Sequence, residues 1–122
     1  MDNKSYKNLL MKRSLAFSLN TMRLVDTLPR NVYSYEVIAR QLMRSATSVG
    51  ANIVEAQAGS SRKDFTNFIQ IALKSANETN YWLSLLNGSG KVHGKMLDDL
   101  VQESLELSKI LGSTVSKLRS VR

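Results

Sequence analysis

Three stretches of this chain hold residue types that could do chemistry. Gly88-Ser89-Gly90-Lys91 pairs glycines, whose amides can curl around a phosphate, with a lysine that can neutralise it. As a nucleotide loop it fails on spacing. Leu85 stands where the first glycine belongs, Val92 replaces the hydroxyl that would hold magnesium, and the preceding segment is periodic like a helix, not a strand. A flexible turn accounts for the glycines. His93 has no second His or Cys at ligand spacing, and the nearby Asp98, Asp99, Glu103 and Glu106 fall early in a helix, where its dipole favours acids. Trp82 and Tyr81 could stack on bases, but near the end of a bundle helix they read first as packing residues. The expectation is therefore a non-enzymatic protein with no catalytic residue, no metal site and no cofactor.

The stretch RSATSVGANIVEAQAGSSRKDF, from Arg44 to Phe65, carries the sharper signal. It places Ser, Thr, Val, Gly and Asn where a helix ordinarily has Ala, Leu and Lys. On a helical wheel Gln41, Arg44, Ser45, Ser48, Asn52 and Glu55 share an arc of about 100°. A solvated stripe would carry Lys and Glu. Small hydroxyls and an amide instead suggest the close approach of another helix with hydrogen bonds across the seam, and Gly50 allows backbone contact on a further side. Lys74, Ser75 and Glu78 are the partners at comparable depth. The expectation is a polar network of Gln41, Arg44, Ser48, Asn52, Glu55, Ser75 and Glu78 that holds helices or subunits in register, with ligand binding as the alternative.

Four helical segments must position these residues, at about 5–27, 35–58, 62–87 and 93–120. Pro29, the only proline, breaks the chain after the first. That segment has two apolar rows, Tyr6, Leu10, Phe17, Leu24 and Met11, Leu15, Leu19, Met22, and so predicts a helix buried on a broad face. In the second, Ile38, Leu42, Ala46, Val49 and Ile53 form one arc, and Gly59 is a natural stop. Ser61 to Asp64 reads as a capping box, with Asp64 reaching back to the helix start. The third has the cleanest heptad, Phe65, Ile69, Ala72, Ala76, Thr79, Leu83 and Leu86; the fourth repeats it with Leu97, Leu100, Ser104, Leu107, Leu111, Thr114 and Leu118. Helices of similar length joined by short connections lie antiparallel to their neighbours. The fold class is all-α, an antiparallel up-down-up-down four-helix bundle, with residues 1–122 as one domain.

With 122 residues and no cysteine, the chain must be held by packing rather than disulfides or thiolate-bound metal. Neither a leader pattern nor an apolar run of membrane-spanning length is present, so a cytoplasmic protein without a membrane partner is expected. The formal charge of +7 favours a polyanionic partner. Residues 1–63 hold ten basic side chains against four acids, and the remainder is nearly neutral. Lys12, Arg13, Arg23, Arg40, Arg62 and Lys63 are the candidate nucleic-acid contacts.

QLMRSATSVGANIVEA followed by SSRKDFTNFIQIALKSANE resembles the signature of the bacterial 23S rRNA intervening-sequence protein family, whose relatives include the accessory variability determinant proteins of diversity-generating retroelements. Gln41, Arg44, Ala46, Ser48, Val49, Ala51, Asn52, Ile53 and Glu55 match its first part, and Arg62, Phe65, Phe68, Ile71, Ala72, Ser75 and Glu78 its second. Ala56 departs from the glycine usual after the glutamate. The resemblance implies a four-helix bundle, a ring-shaped homopentamer, and a link to RNA or DNA or to a reverse transcriptase. The function expected is an oligomeric bundle that binds structured RNA through basic surface residues, the alternative being a protein-interaction scaffold or adaptor.

Overall fold

The computed structural model describes residues 2–120 and contains four long helices: α1 (Asn3–Thr27), α2 (Tyr33–Gln57), α3 (Arg62–Gly88) and α4 (Lys95–Ser120). At a rise of 1.5 Å per residue each is about 38–40 Å long. Contacts join α1 to α2, α2 to α3, α3 to α4 and α4 back to α1, with none across the diagonals. This is the antiparallel up-down-up-down bundle, and the α2–α3 seam is its most extensive.

Helix starts follow from local chemistry. Asp2 caps α1 by accepting from the Ser5 amide at 2.7 Å, and Ser61 caps α3 by accepting from the Asp64 amide at 3.1 Å. The capping box is half formed. Asp64 does not reach back to the Ser61 amide; its carboxylate accepts from the Ser60 hydroxyl at 2.8 Å. Gly59 also acts differently from a left-handed stop, because the positive-φ positions are Asn31, Gly90 and Gly94. At Gly59 a Cβ would sit 3.1 Å from the Ala56 carbonyl oxygen and 3.3 Å from the Asp64 Cβ, so the turn needs its small size.

The core takes every expected position of α2 and most of α3 and α4. Phe65, Thr114 and Leu118 are half-buried, and Val115 takes the last core position of α4. The broad buried face expected of α1 is not found. Leu10, Phe17 and Leu24 are buried, whereas Leu15 is 62% exposed and Leu19 and Met22 stand out beside it. One helix in a square bundle meets two neighbours along a limited arc, and the core side was filled by the first row. Met11 alone of the second row packs against the core.

Five buried serine and threonine positions, Ser14, Thr21, Ser45, Thr79 and Ser104, are each hydrogen-bonded, whereas the buried Tyr35 hydroxyl has no partner among the described residues. Thr21 donates to the Phe17 carbonyl at 2.8 Å, and Ser104 accepts from the Asn80 amide at 2.9 Å. A buried hydroxyl left unpaired would cost about 1–3 kcal/mol, so the pairs that cross between helices, Ser45 with Thr79 and Ser104 with Asn80, tie helix register to stability. None of the described helices is long and apolar enough to cross a membrane.

Candidate nucleic-acid interface

The polar stripe of α2 meets α3 within the same chain. Ser45 Oγ and Thr79 Oγ1 lie 2.9 Å apart, and Ser75 donates to Ser48 Oγ at 2.9 Å. Asn52 donates to both the carbonyl and the hydroxyl of Ser48, at 2.8 and 3.0 Å. Toward the other end of the seam Arg44 holds Gln41 Oε1 and reaches across to Glu78. The Glu78 carboxylate also accepts from Trp82 Nε1 at 2.9 Å. That indole donor first, and Arg44 second, hold Glu78 below the ordinary carboxylate range. Glu55 stands apart, exposed and without a hydrogen bond among the described residues. On the opposite side of α2, Gly50 lies against Ser14 of α1.

Charge gathers elsewhere, at the end of the bundle where α1 and α3 begin and α2 and α4 finish. Arg62 and Lys63 of α3 and Lys117 and Arg119 of α4 are all exposed there, with Lys7 of α1 beside them. Two cavities, each of about 550 Å³, open on this end and share Arg62 and Leu118. Lys7, Arg62 and Lys117 line one; Arg62, Lys63 and Arg119 line the other. Among the described residues neither lining includes a carboxylate. Arg62 is anchored by donating to the Leu118 carbonyl at 2.9 Å, and Lys7 by lying 5.1 Å above the Phe65 ring. A fixed cation loses less conformational freedom on binding an anion than a floating one.

The expected basic contacts therefore divide. Arg62 and Lys63 are part of this end. Lys12 is exposed midway along α1; Arg23 and Arg40 are exposed toward the opposite end, Arg23 donating to Asn20 at 2.8 Å. Arg13 is engaged by carboxylates, bonding to Glu103 at 3.0 Å through Nε and to Glu106 at 3.1 Å. Those bonds, Glu103 first, raise its already high pKa and tie α1 to α4. Lys117 and Arg119 were missed because a tally by chain halves counts the C-terminal half as nearly neutral; Lys7, one of the ten basic side chains of residues 1–63, was not singled out there. The available signal was topology, since an up-down-up-down bundle puts the end of α4 beside the start of α3.

No group of three or more potential metal-ligating side chains occurs among the described residues. Tyr81 is exposed, its ring edge-to-face with the half-buried Trp82 at 5.1 Å.

With this geometry in view, the sequence pattern of the 23S rRNA-intervening sequence proteins matches residues 7–113. The chain belongs to that family. A crystal structure of a protein of unknown function from the S23 ribosomal protein family of Bacteroides thetaiotaomicron is similar over 90% of this chain and 97% of its own, at 38% identity and a TM-score of 0.80. The match to the 23S rRNA-intervening sequence family contains both the α2–α3 seam and the Arg62-Lys63 turn; Lys117 and Arg119 lie beyond it. No curated protein matches the chain.

Proposed function

We propose that this protein is a cytoplasmic, non-enzymatic homo-oligomer, a pentamer as the family resemblance implies, that binds nucleic acid, structured RNA above all, through phosphate contacts at its basic end. The observation that carries the reading is the convergence of Lys7, Arg62, Lys63, Lys117 and Arg119 from three helices around two adjoining cavities without a lining carboxylate. Phosphates neutralised by such side chains release counterions, so affinity falls steeply with salt. Five protomers would bring the formal charge to about +35 and steer a polyanion from a distance.

The exposed apolar row of α1 supports the assembly. Leu15, Leu19 and Met22 are exposed on a helix that meets α2 where Ser18 donates to the Ala46 carbonyl at 3.4 Å, and α2 itself exposes the uncharged Ala51 and Val54. A second copy covering this band would remove large aliphatic side chains from water at about 25 cal/mol per Å². The same band favours the second reading, an adaptor to a protein such as a reverse transcriptase. That reading no longer draws on the polar stripe, whose hydroxyls bond within the chain.

Fluorescence anisotropy with a labelled, folded RNA at 50 and 200 mM salt tests the proposal. The reading expects at least a tenfold loss of affinity, the consequence of displacing several counterions. Affinity that barely changes, or an absence of binding at low salt, rejects it in favour of the adaptor.

A further inference from the structure

We propose that the cavity between Lys7, Arg62 and Lys117 is a binding pocket for a phosphate monoester, carried either by a free nucleotide or by the end of a nucleic-acid strand. The pocket stands on its own lining; only its occupation by a strand end rests on the nucleic-acid reading. Its charge separates it from three cavities elsewhere on the bundle. The cavity by Ala16 and Met96 is lined by Asp99 and Glu103 and no cation, and that by Val32 and Ser84 by Lys91 alone. The one by Pro29 and Arg30 sets a single arginine against Asp26 and Glu36. Here three cations face about 550 Å³ with no carboxylate in the wall among the described residues; the adjoining cavity of Arg62, Lys63 and Arg119 shares that charge but lacks Gln57 and the aromatic side chains of Tyr6 and Phe65.

Charge decides which phosphate fits. An internal phosphodiester carries one negative charge, whereas a monoester near neutral pH carries about 1.5 to 2 and has three oxygens to accept hydrogen bonds. Three converging cations match the monoester. Arg62 donates to the Leu118 carbonyl through Nη2, which leaves its other nitrogens to grip a phosphate. Lys7 is held over Phe65, and Lys117 comes from the last turn of α4. The Gln57 side-chain nitrogen, enclosed in the same wall, has no hydrogen-bond partner among the described residues. Closed off from solvent as it stands, that donor would meet a phosphate oxygen once the side chain turned toward the cavity. Tyr6, Phe65 and Leu118 supply an apolar flank for the ring of a nucleoside, and the volume lies within the range of about 300–1,000 Å³ typical of small-molecule sites.

The test is calorimetric and fluorescence binding of inorganic phosphate, a nucleoside monophosphate, and single-stranded RNAs of one sequence bearing a 5′-phosphate, a 3′-phosphate or hydroxyls at both ends. Wild type, Arg62→Gln, Lys117→Gln and the mid-α1 control Lys12→Gln are compared, each checked for native helicity. The proposal expects a terminal phosphate to improve strand binding, or the monophosphate to bind on its own, by about tenfold over the matching hydroxyl compound. That preference is lost in Arg62→Gln and Lys117→Gln and kept in Lys12→Gln. A monophosphate that binds as tightly as any strand identifies a free nucleotide as occupant; a tighter phosphorylated strand identifies a strand end. Equal affinity for all three strands, together with no binding of phosphate or monophosphate, overturns the pocket even where strand binding stays salt-dependent. Monophosphate binding without strand binding keeps the pocket and removes the nucleic-acid reading.

Discussion

The buried pair Ser45 and Thr79 offers a double-mutant cycle in which shape is held constant and only hydrogen bonding changes. Both residues are fully buried, their oxygens are 2.9 Å apart, and Thr79 Oγ1 also lies 2.7 Å from the Ser75 carbonyl. A hydroxyl has one proton to give. With the Thr79 proton on the Ser75 carbonyl, the Ser45 hydroxyl supplies the one between the pair. Thr79→Val is close to isosteric and leaves the Ser45 hydroxyl without its partner across the seam, at a cost of about 1–3 kcal/mol. Ser45→Ala removes the opposite partner and costs about 1 kcal/mol, the net worth of one hydrogen bond. The double variant leaves neither group stranded, so it should lose less than the sum of the singles, with a coupling of about 1 kcal/mol. Urea denaturation followed by circular dichroism measures all four proteins, at one protomer concentration because assembly would shift the midpoint. Strict additivity, or singles indistinguishable from wild type, would refute the claim that this seam depends on satisfied hydroxyls.

Three further outcomes follow from the same contacts. Glu78 is held below its ordinary pKa of 4.5 by Trp82 and Arg44, so its contribution is present above that value and disappears as pH falls through the lower folded-state pKa. Glu78→Gln should therefore be less stable than wild type at pH 7, by under about 1 kcal/mol for so exposed a pair, and the two urea midpoints should draw together as pH falls below 4.5; a gap that widens in acid would contradict this. Gly59→Val should cost about 1–3 kcal/mol through crowding against the Ala56 carbonyl and Asp64, and a variant at least as stable as wild type in thermal melts would remove the packing argument for this glycine. Leu15→Glu combined with Leu19→Glu should reduce the mass seen by light scattering to that of one chain while helicity is kept; a monomeric wild type, or an assembly indifferent to these charges, would rule out the α1 band as the subunit seam.

The core of α3 could be read from spacing alone because Ile69, Ala72, Ala76, Thr79, Leu83 and Leu86 keep one face toward the bundle over its whole length. Even Thr79 and Ser104 fell into the core, since period outweighs polarity when a hydroxyl has a nearby carbonyl to bind. For α1 the pattern was ambiguous. Two apolar rows were visible, and only the position of neighbouring helices decides that Phe17 is enclosed and Leu15 is not. Arg13 looked like a free cation because the acids that engage it, Glu103 and Glu106, lie about ninety positions away in sequence. The same distance concealed the basic end, where Arg62 and Lys63 meet Lys117 and Arg119 only after the chain has folded.

The central claim is that phosphate is bound at the end of the bundle where α3 starts and α4 stops. The most direct measurement is the salt dependence of RNA affinity for wild type, for Lys63→Gln with Arg119→Gln at that end, and for Arg23→Gln with Arg40→Gln toward the other. Each pair removes the same charge. The first pair should weaken binding and make the slope of log affinity against log salt shallower by about 1.4–1.8, the value for two lost phosphate contacts, while the second pair should leave the slope nearly unchanged. Equal effects from the two pairs, or a larger one from Arg23 and Arg40, would contradict that claim.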